Sequence, residues 1–150
     1  MPYPTHLLEA AGCSQADIVD AALALFIPWQ RTRDEQYQVV SDRIAKACMD
    51  PTVNTLIHAA CLLAMVPDDA NTSYGSISSD AGAADISDMS GPYLGMIIAE
   101  HLAGSYAYFE YTRYVKHSPG ILGRLKNPHV VHSIAGLIAG VTSRLYSEGW

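Results

Sequence analysis

Three side chains in the second half of the sequence have the chemistry of a catalytic or metal-binding site. Glu100 lies in an otherwise uncharged stretch, where a carboxylate must find a partner or raise its pKa. His129 and His132 are three residues apart, a spacing that places two imidazoles on one helix face, where they can bind one metal ion. These residues predict, as one alternative, a small helical enzyme or metal-binding protein with its site between predicted helices 92–117 and 128–146, in which Glu100 acts as acid, base or ligand.

Each of these residues also has a simpler structural interpretation. The two histidines fit a surface or an interface, and Glu100 can bond an Arg or Tyr of a neighbouring helix or subunit. The sequence lacks the Glu-x-x-His pattern of di-iron helices, the Gly-rich phosphate loops and the Gly-x-Ser-x-Gly elbow. We therefore expect no cofactor, and we favour a function other than catalysis.

Two stretches have the composition of a protein-binding surface. An aromatic run ends in Tyr111, Arg113 and Tyr114, and tyrosine combined with arginine is typical of interaction hot spots. An acidic stretch without Lys or Arg suits a basic partner surface. Its candidate contacts are Asp68, Asp69 and Asp80. The leading hypothesis is a non-enzymatic helical interaction or regulatory protein that binds a protein partner, with a basic surface of that partner as the candidate contact.

The helix predicted over residues 92–117 is the element that would position these side chains. Pro92 suits a first helical position, because its missing N–H would have no partner there. Between Pro92 and Phe109 the only charged residue is Glu100, which favours burial on both sides of the helix. We therefore predict that residues 92–117 form the central helix of a bundle.

Helix-capping signals predict four further helices. Ser14 with Asp17, and Thr32 with Glu35, have capping-box spacing. The pairs Asp50-Pro51 and Asn127-Pro128 place a cap before a proline at the first helical position. The sequence thus predicts an all-α, single-domain bundle of about five helices. An N-terminal arm over residues 1–12 and a long acidic loop over residues 67–91 complete the predicted domain.

Small residues on the last predicted helix indicate close helix packing. They are Gly136, Ala139 and Gly140, and they match an Ala/Gly arc on the predicted central helix. The two faces can pack within one chain or across a two-fold axis. Because little charge is left to cover the buried helices, we favour the second arrangement and expect a homodimer.

Composition excludes several classes of protein. The net charge is −6 and Lys and Arg are not clustered, so we expect no nucleic-acid binding. The most apolar stretch, residues 52–66, is too short to cross a bilayer, and no secretory signal is recognisable, so we expect no membrane association. The three cysteines are odd in number and lack CxxC spacing, which predicts reduced, buried thiols in a cytoplasmic protein.

Overall fold

The computed structural model describes residues 5–66 and 86–150, and every regular element in these two ranges is helical. The α-helices are α1 (Thr5–Ala10), α2 (Gln15–Leu25), α3 (Arg33–Cys48), α4 (Pro51–Ala64), α5 (Ile86–Ala103), α6 (Ala107–His117) and α7 (Pro128–Ser147), with a 3₁₀ helix at Gly120–Gly123. The predicted all-α fold is confirmed. These ranges contain seven α-helices and not about five, because the N-terminal arm includes α1 and the predicted central helix is divided in two.

The predicted helix starts are confirmed by their hydrogen bonds. Ser14 and Thr32 form reciprocal capping boxes at the starts of α2 and α3. The side chain of Asp50 accepts from the N–H groups of Thr52 and Val53, and Asn127 caps α7 in the same way. These caps satisfy N–H groups that have no partner within the helix, which explains why the chain enters each helix at these residues.

The prediction of one helix over residues 92–117 is wrong in two respects. The first helix of this region begins before residue 92, and it ends well before residue 117. Helix α5 begins at Ile86, six residues before Pro92, so Pro92 lies within the helix and residues 86–91 are not loop. The helix ends at Ala103, because Gly104 adopts a φ of 73° and donates its N–H to the Glu100 carbonyl oxygen at 2.7 Å. Glycine adopts this left-handed conformation without steric cost and commonly ends helices. The chain then turns into α6.

Helix α7, and not residues 92–117, is the central helix. Thirteen of its 20 residues are buried, including every residue from 133 to 142. Helices α2, α3, α4, α5 and α6 all pack against it. Helix α5 is open to solvent on one side, which is the second correction to the prediction that it is buried all round.

Helices α5 and α7 run parallel and touch through their glycines. A Cβ at Gly136 would collide with the backbone of Gly95, and one at Gly95 would collide with the backbone of His132. Further along, Gly140 faces Leu102. Close packing through Gly136 and Gly140, with the buried Ala139 between them, is therefore confirmed. It occurs within one chain, so our preference for a two-fold axis at this face was wrong.

The three cysteines and Leu8 of the N-terminal arm are buried. Cys13, Cys48 and Cys61 are buried as predicted, and burial raises the pKa of Cys13 to about 12 and that of Cys61 to about 11. Leu8 of α1 is buried, so this part of the N-terminal arm docks on the bundle. None of the helices in the described ranges combines the length and the apolar character needed to cross a bilayer.

Candidate functional site

The two candidate metal-binding histidines lie together at the start of α7, where α5 and α6 meet it. Oγ of Ser90 lies 2.6 Å from Nε2 of His129. The hydroxyl of Tyr111 lies 2.6 Å from Nδ1 of His132 and 3.4 Å from the carbonyl oxygen of Pro92. We call Ser90, Tyr111, His129 and His132 the histidine cluster. The structure thus brings the two histidines together and pairs each of them with a hydroxyl group.

Burial shifts the pKa of two members of this cluster, His132 and Tyr111. It disfavours the charged imidazolium of His132, whose pKa is lowered first by burial and then by the neighbouring His129. Burial also raises the pKa of Tyr111 to about 12, so its hydroxyl keeps its proton. Tyr111 can therefore donate to the unprotonated Nδ1 of a neutral His132. This hydrogen bond links α6 to α7.

Glu100 does not belong to the histidine cluster. It lies ten residues after Ser90 on α5, which is about 15 Å along the helix axis. Its carboxylate is exposed and accepts a hydrogen bond from the hydroxyl of Tyr108 at 2.6 Å. The tyrosine partner agrees with the structural interpretation of Glu100. The structure therefore does not place Glu100 in one site with His129 and His132.

The donors needed for a metal centre do not converge in the part of the chain that the structure describes. No group of three or more His, Cys, Asp or Glu side chains among residues 5–66 and 86–150 is arranged to hold a metal ion. Nε2 of His129 faces a serine and Nδ1 of His132 faces a tyrosine. The geometry of the cluster is therefore that of hydrogen-bonded side chains.

The predicted partner-binding end of the aromatic run is turned inward. Tyr114 is 0% exposed and its hydroxyl donates to the Ala22 carbonyl oxygen at 2.6 Å, while Tyr111 is 7% exposed. Arg113 bonds Glu110 and the Leu25 carbonyl oxygen. Tyr114 and Arg113 thus satisfy carbonyl groups at the end of α2. Because both tyrosines are buried, with Tyr114 bonded to the end of α2 and Tyr111 bonded to His132, neither is available to a partner, which corrects the sequence interpretation.

The other predicted partner contacts were the aspartates of the acidic stretch. Asp68, Asp69 and Asp80 lie outside the described residues. The hypothesis that they meet a basic surface stays a prediction.

Exposed apolar side chains lie on the outer face of α5. Met89, Tyr93, Met96 and Ile97 are 61%, 64%, 38% and 45% exposed. At 100° per residue they fall within an arc of about 100°, opposite the face that carries the glycines against α7. We call these four residues the α5 stripe. Past the Gly104 turn, Tyr106 and Phe109 are 81% and 78% exposed.

Sequence reasoning missed the α5 stripe because α5 is apolar on nearly every face. Spacing alone cannot tell which apolar face of such a helix is covered. The available signal was glycine, because Gly91, Gly95 and the later Gly136 mark the faces where backbones touch. Side chains on the face of α5 opposite its glycines therefore point away from α7. Ser90 was missed as a histidine partner because residues 86–91 were assigned to a loop.

The chain is similar in sequence to a known protein. A protein of Methanocaldococcus jannaschii named Uncharacterized protein MJ1330 is 29% identical to this chain over 131 residues, which cover 85% of this chain and 99% of the relative. No protein-family model and no solved structure matches the chain. The similarity therefore extends over most of both proteins, and the relative's name gives no activity.

Proposed function

We propose that this protein is a non-enzymatic helical interaction protein that self-associates through the α5 stripe. The observation that carries the proposal is the exposure of four large apolar side chains on one face of a helix whose opposite face is fixed against α7 by glycine contacts. Contiguous exposed apolar surface of this kind marks protein-binding sites.

The size of the apolar surface supports this function. Side chains of this kind bury roughly 200 Å² each, so at their exposed fractions the stripe presents about 400 Å². Tyr106 and Phe109 add about 300 Å² on the same basis. The stripe alone thus supplies about half of the ~800 Å² that each partner contributes to a standard interface, and Tyr106 and Phe109 bring the exposed apolar area of this part of the chain to about 700 Å².

Charge favours a second copy of the chain as the occupant. Each copy carries a net charge of −6, so two copies repel each other except where their meeting faces are uncharged. None of the four residues of the α5 stripe is charged. Glu100 follows Ile97 on the same side of the helix, and its carboxylate accepts a hydrogen bond from Tyr108. The four side chains of the stripe offer a basic partner no ion pair. Two stripes related by a two-fold axis bury only apolar side chains against one another.

A matched pair of isoleucine substitutions tests the proposal. Ile97→Lys places a charge inside the stripe, whereas Ile27→Lys makes the same change at a residue that is 75% exposed outside it. Light scattering after size-exclusion chromatography measures the molar mass of each variant. We expect wild type and Ile27→Lys to have twice the chain mass of 16.2 kDa, and Ile97→Lys to dissociate at least about tenfold more readily.

Two results would count against self-association through this face. A wild-type mass of one chain at every concentration would remove the dimer and leave another protein, or residues 67–85 of the same chain, as the occupant of the stripe. Equal dissociation of both isoleucine variants would show that the dimer uses a different surface.

The contact between Ser90 and His129 favours a second candidate function, a small enzyme with a serine nucleophile. An imidazole nitrogen 2.6 Å from a serine hydroxyl has the geometry in which histidine accepts the serine proton. The test is covalent labelling by a fluorophosphonate probe, read by mass spectrometry. Labelling of wild type and Ser147→Ala, together with its loss in Ser90→Ala, would support this candidate. Absence of labelling in wild type would remove it.

A further inference from the structure

Away from the α5 stripe, three basic side chains converge on one cavity. The cavity has a volume of about 220 Å³ and is lined by Arg43 and Lys46 of α3, by Arg144 of α7, and by Asp50 and Leu102. The chain has nine Lys and Arg residues against 15 Asp and Glu residues, so three cations around one small cavity are unusual for it. We call this space the basic cavity.

Arg144 also connects the basic cavity to a neighbouring one. The second cavity has a volume of about 390 Å³ and shares Arg144 and Leu102 with the first, while His101 and Glu148 line its other sides. The guanidinium of Arg144 donates to the Leu102 carbonyl oxygen at 3.1 Å, which fixes its position between the two spaces. A ligand held by its anionic group at Arg144 therefore has room for a small organic part.

An internal carboxylate already uses two of the three cations. Both oxygens of Glu148 accept from Arg43, at 2.6 and 3.1 Å, and Arg144 lies 3.7 Å away. The hydrogen bond from Arg43 is the main reason why the pKa of Glu148 lies below its usual value. Glu148 thus marks the position in which these guanidinium groups hold an anion. Its side chain is about one third exposed and is followed by Gly149, so it can leave that position.

We propose that the basic cavity binds a small dianionic ligand of the phosphate class, free phosphate or a phosphate monoester, in competition with the carboxylate of Glu148. With Glu148 displaced, the three cations and Asp50 leave two positive charges, which balance a phosphate dianion. Arginine offers paired donors that match phosphate oxygens, and lysine adds a point charge.

Helix dipoles give a competing explanation for the same residues. Lys46 and Arg144 lie in the last turns of α3 and α7, where basic side chains stabilise the helix without any ligand. That effect needs each cation only near its own helix end. It does not require the two helix ends and Arg43 to face one cavity, and it predicts no anion binding.

Titration calorimetry at constant ionic strength distinguishes the two explanations. The probes are inorganic phosphate and glycerol 2-phosphate, each added to wild type, Lys46→Gln, Glu148→Gln and Lys116→Gln. Lys116 is the matched control, because it is also an exposed lysine in the last turn of a helix but lies on α6, outside the cavity. We expect Lys46→Gln to bind about tenfold more weakly and Lys116→Gln to bind as wild type does.

The response of Glu148→Gln is the decisive result. Removing the internal competitor should tighten phosphate binding by about tenfold. Tighter binding of glycerol 2-phosphate than of phosphate would identify a monoester as the ligand, and weaker binding of glycerol 2-phosphate would identify the free anion. Equal affinity would show that the cavity recognises the phosphate group alone. Absence of binding to both wild type and Glu148→Gln at millimolar probe would overturn the proposal. Equal weakening by Lys46→Gln and Lys116→Gln would overturn it as well, because binding would then be unspecific.

Discussion

The glycine contact between α5 and α7 makes Gly136→Ala a sharp test of the fold. The new Cβ would overlap the carbonyl oxygen of Gly95 and would lie 2.8 Å from both its Cα and its carbonyl carbon, where carbon atoms normally pack at about 3.5 Å or more. No side chain can rotate to relieve this contact, because Gly95 offers only backbone. The two helices would have to separate by at least about 0.7 Å along the seam where they touch.

The expected loss of stability follows from two opposing effects. Overpacking of this kind costs about 3 kcal/mol, the upper part of the usual range, because backbone must move. Replacing glycine by alanine inside a helix returns about 1 kcal/mol. The net loss is about 2 kcal/mol, which lowers Tm by about 4–8 °C in a chain of this length.

Urea unfolding followed by circular dichroism at 222 nm measures this loss at equal protein concentrations. Thr55→Ala is the control, because Thr55 is exposed on α4 and the change improves helix propensity without a clash. We expect Thr55→Ala to match or exceed wild type. A Gly136→Ala protein as stable as wild type, or more stable, would refute the close contact, since helix propensity would then be the only effect present.

Two further predictions concern single side chains. Tyr114→Phe removes the hydrogen bond to Ala22 and should lower the free energy of unfolding by about 1 kcal/mol in urea titrations. Tyr106→Phe on the surface should leave this free energy unchanged. Equal effects of the two substitutions would contradict the inward position of Tyr114. The lowered pKa of His132 means that, just below pH 6.5, the unfolded chain binds more protons than the folded one. The stability from its neutral form is therefore complete above pH 6.5 and is lost as pH falls. Between pH 7.5 and pH 5, the free energy of unfolding should fall less in His132→Gln than in wild type or His117→Gln. Identical dependence on pH in all three proteins would contradict the lowered pKa of His132.

The sequence contained the information for where helices start. Ser14, Thr32, Asp50 and Asn127 all cap helices as predicted, because a cap depends on hydrogen bonds between residues two or three positions apart. The signal for the end of α5, Gly104, is equally local in the sequence, but the apolar character of residues 92–117 concealed it. A glycine within a long apolar stretch is a better indication of a helix end than the periodicity around it.

The candidate sites depended on contacts that are distant in sequence. His129 and His132 were recognised from their spacing, but their partners Ser90 and Tyr111 are 39 and 21 residues away. Whether an aromatic side chain such as Tyr114 faces the core or a partner depends on how α6 packs against α5 and α7, which no local pattern records. The basic cavity joins α3 and α7 and was likewise beyond sequence reasoning.

Photochemical cross-linking from position 93 tests the central claim most directly, because it asks what touches the α5 stripe. Tyr93 is replaced by the photoreactive benzoylphenylalanine, and a second protein carries the same residue at Trp29, which is 77% exposed outside the stripe. Mixing ¹⁴N- and ¹⁵N-labelled chains before irradiation separates contacts between copies from contacts within one chain. Self-association through the stripe predicts mixed-isotope cross-links from position 93 to Met89, Met96 or Ile97, and none from position 29. Cross-links from position 93 that stay within one chain would contradict it.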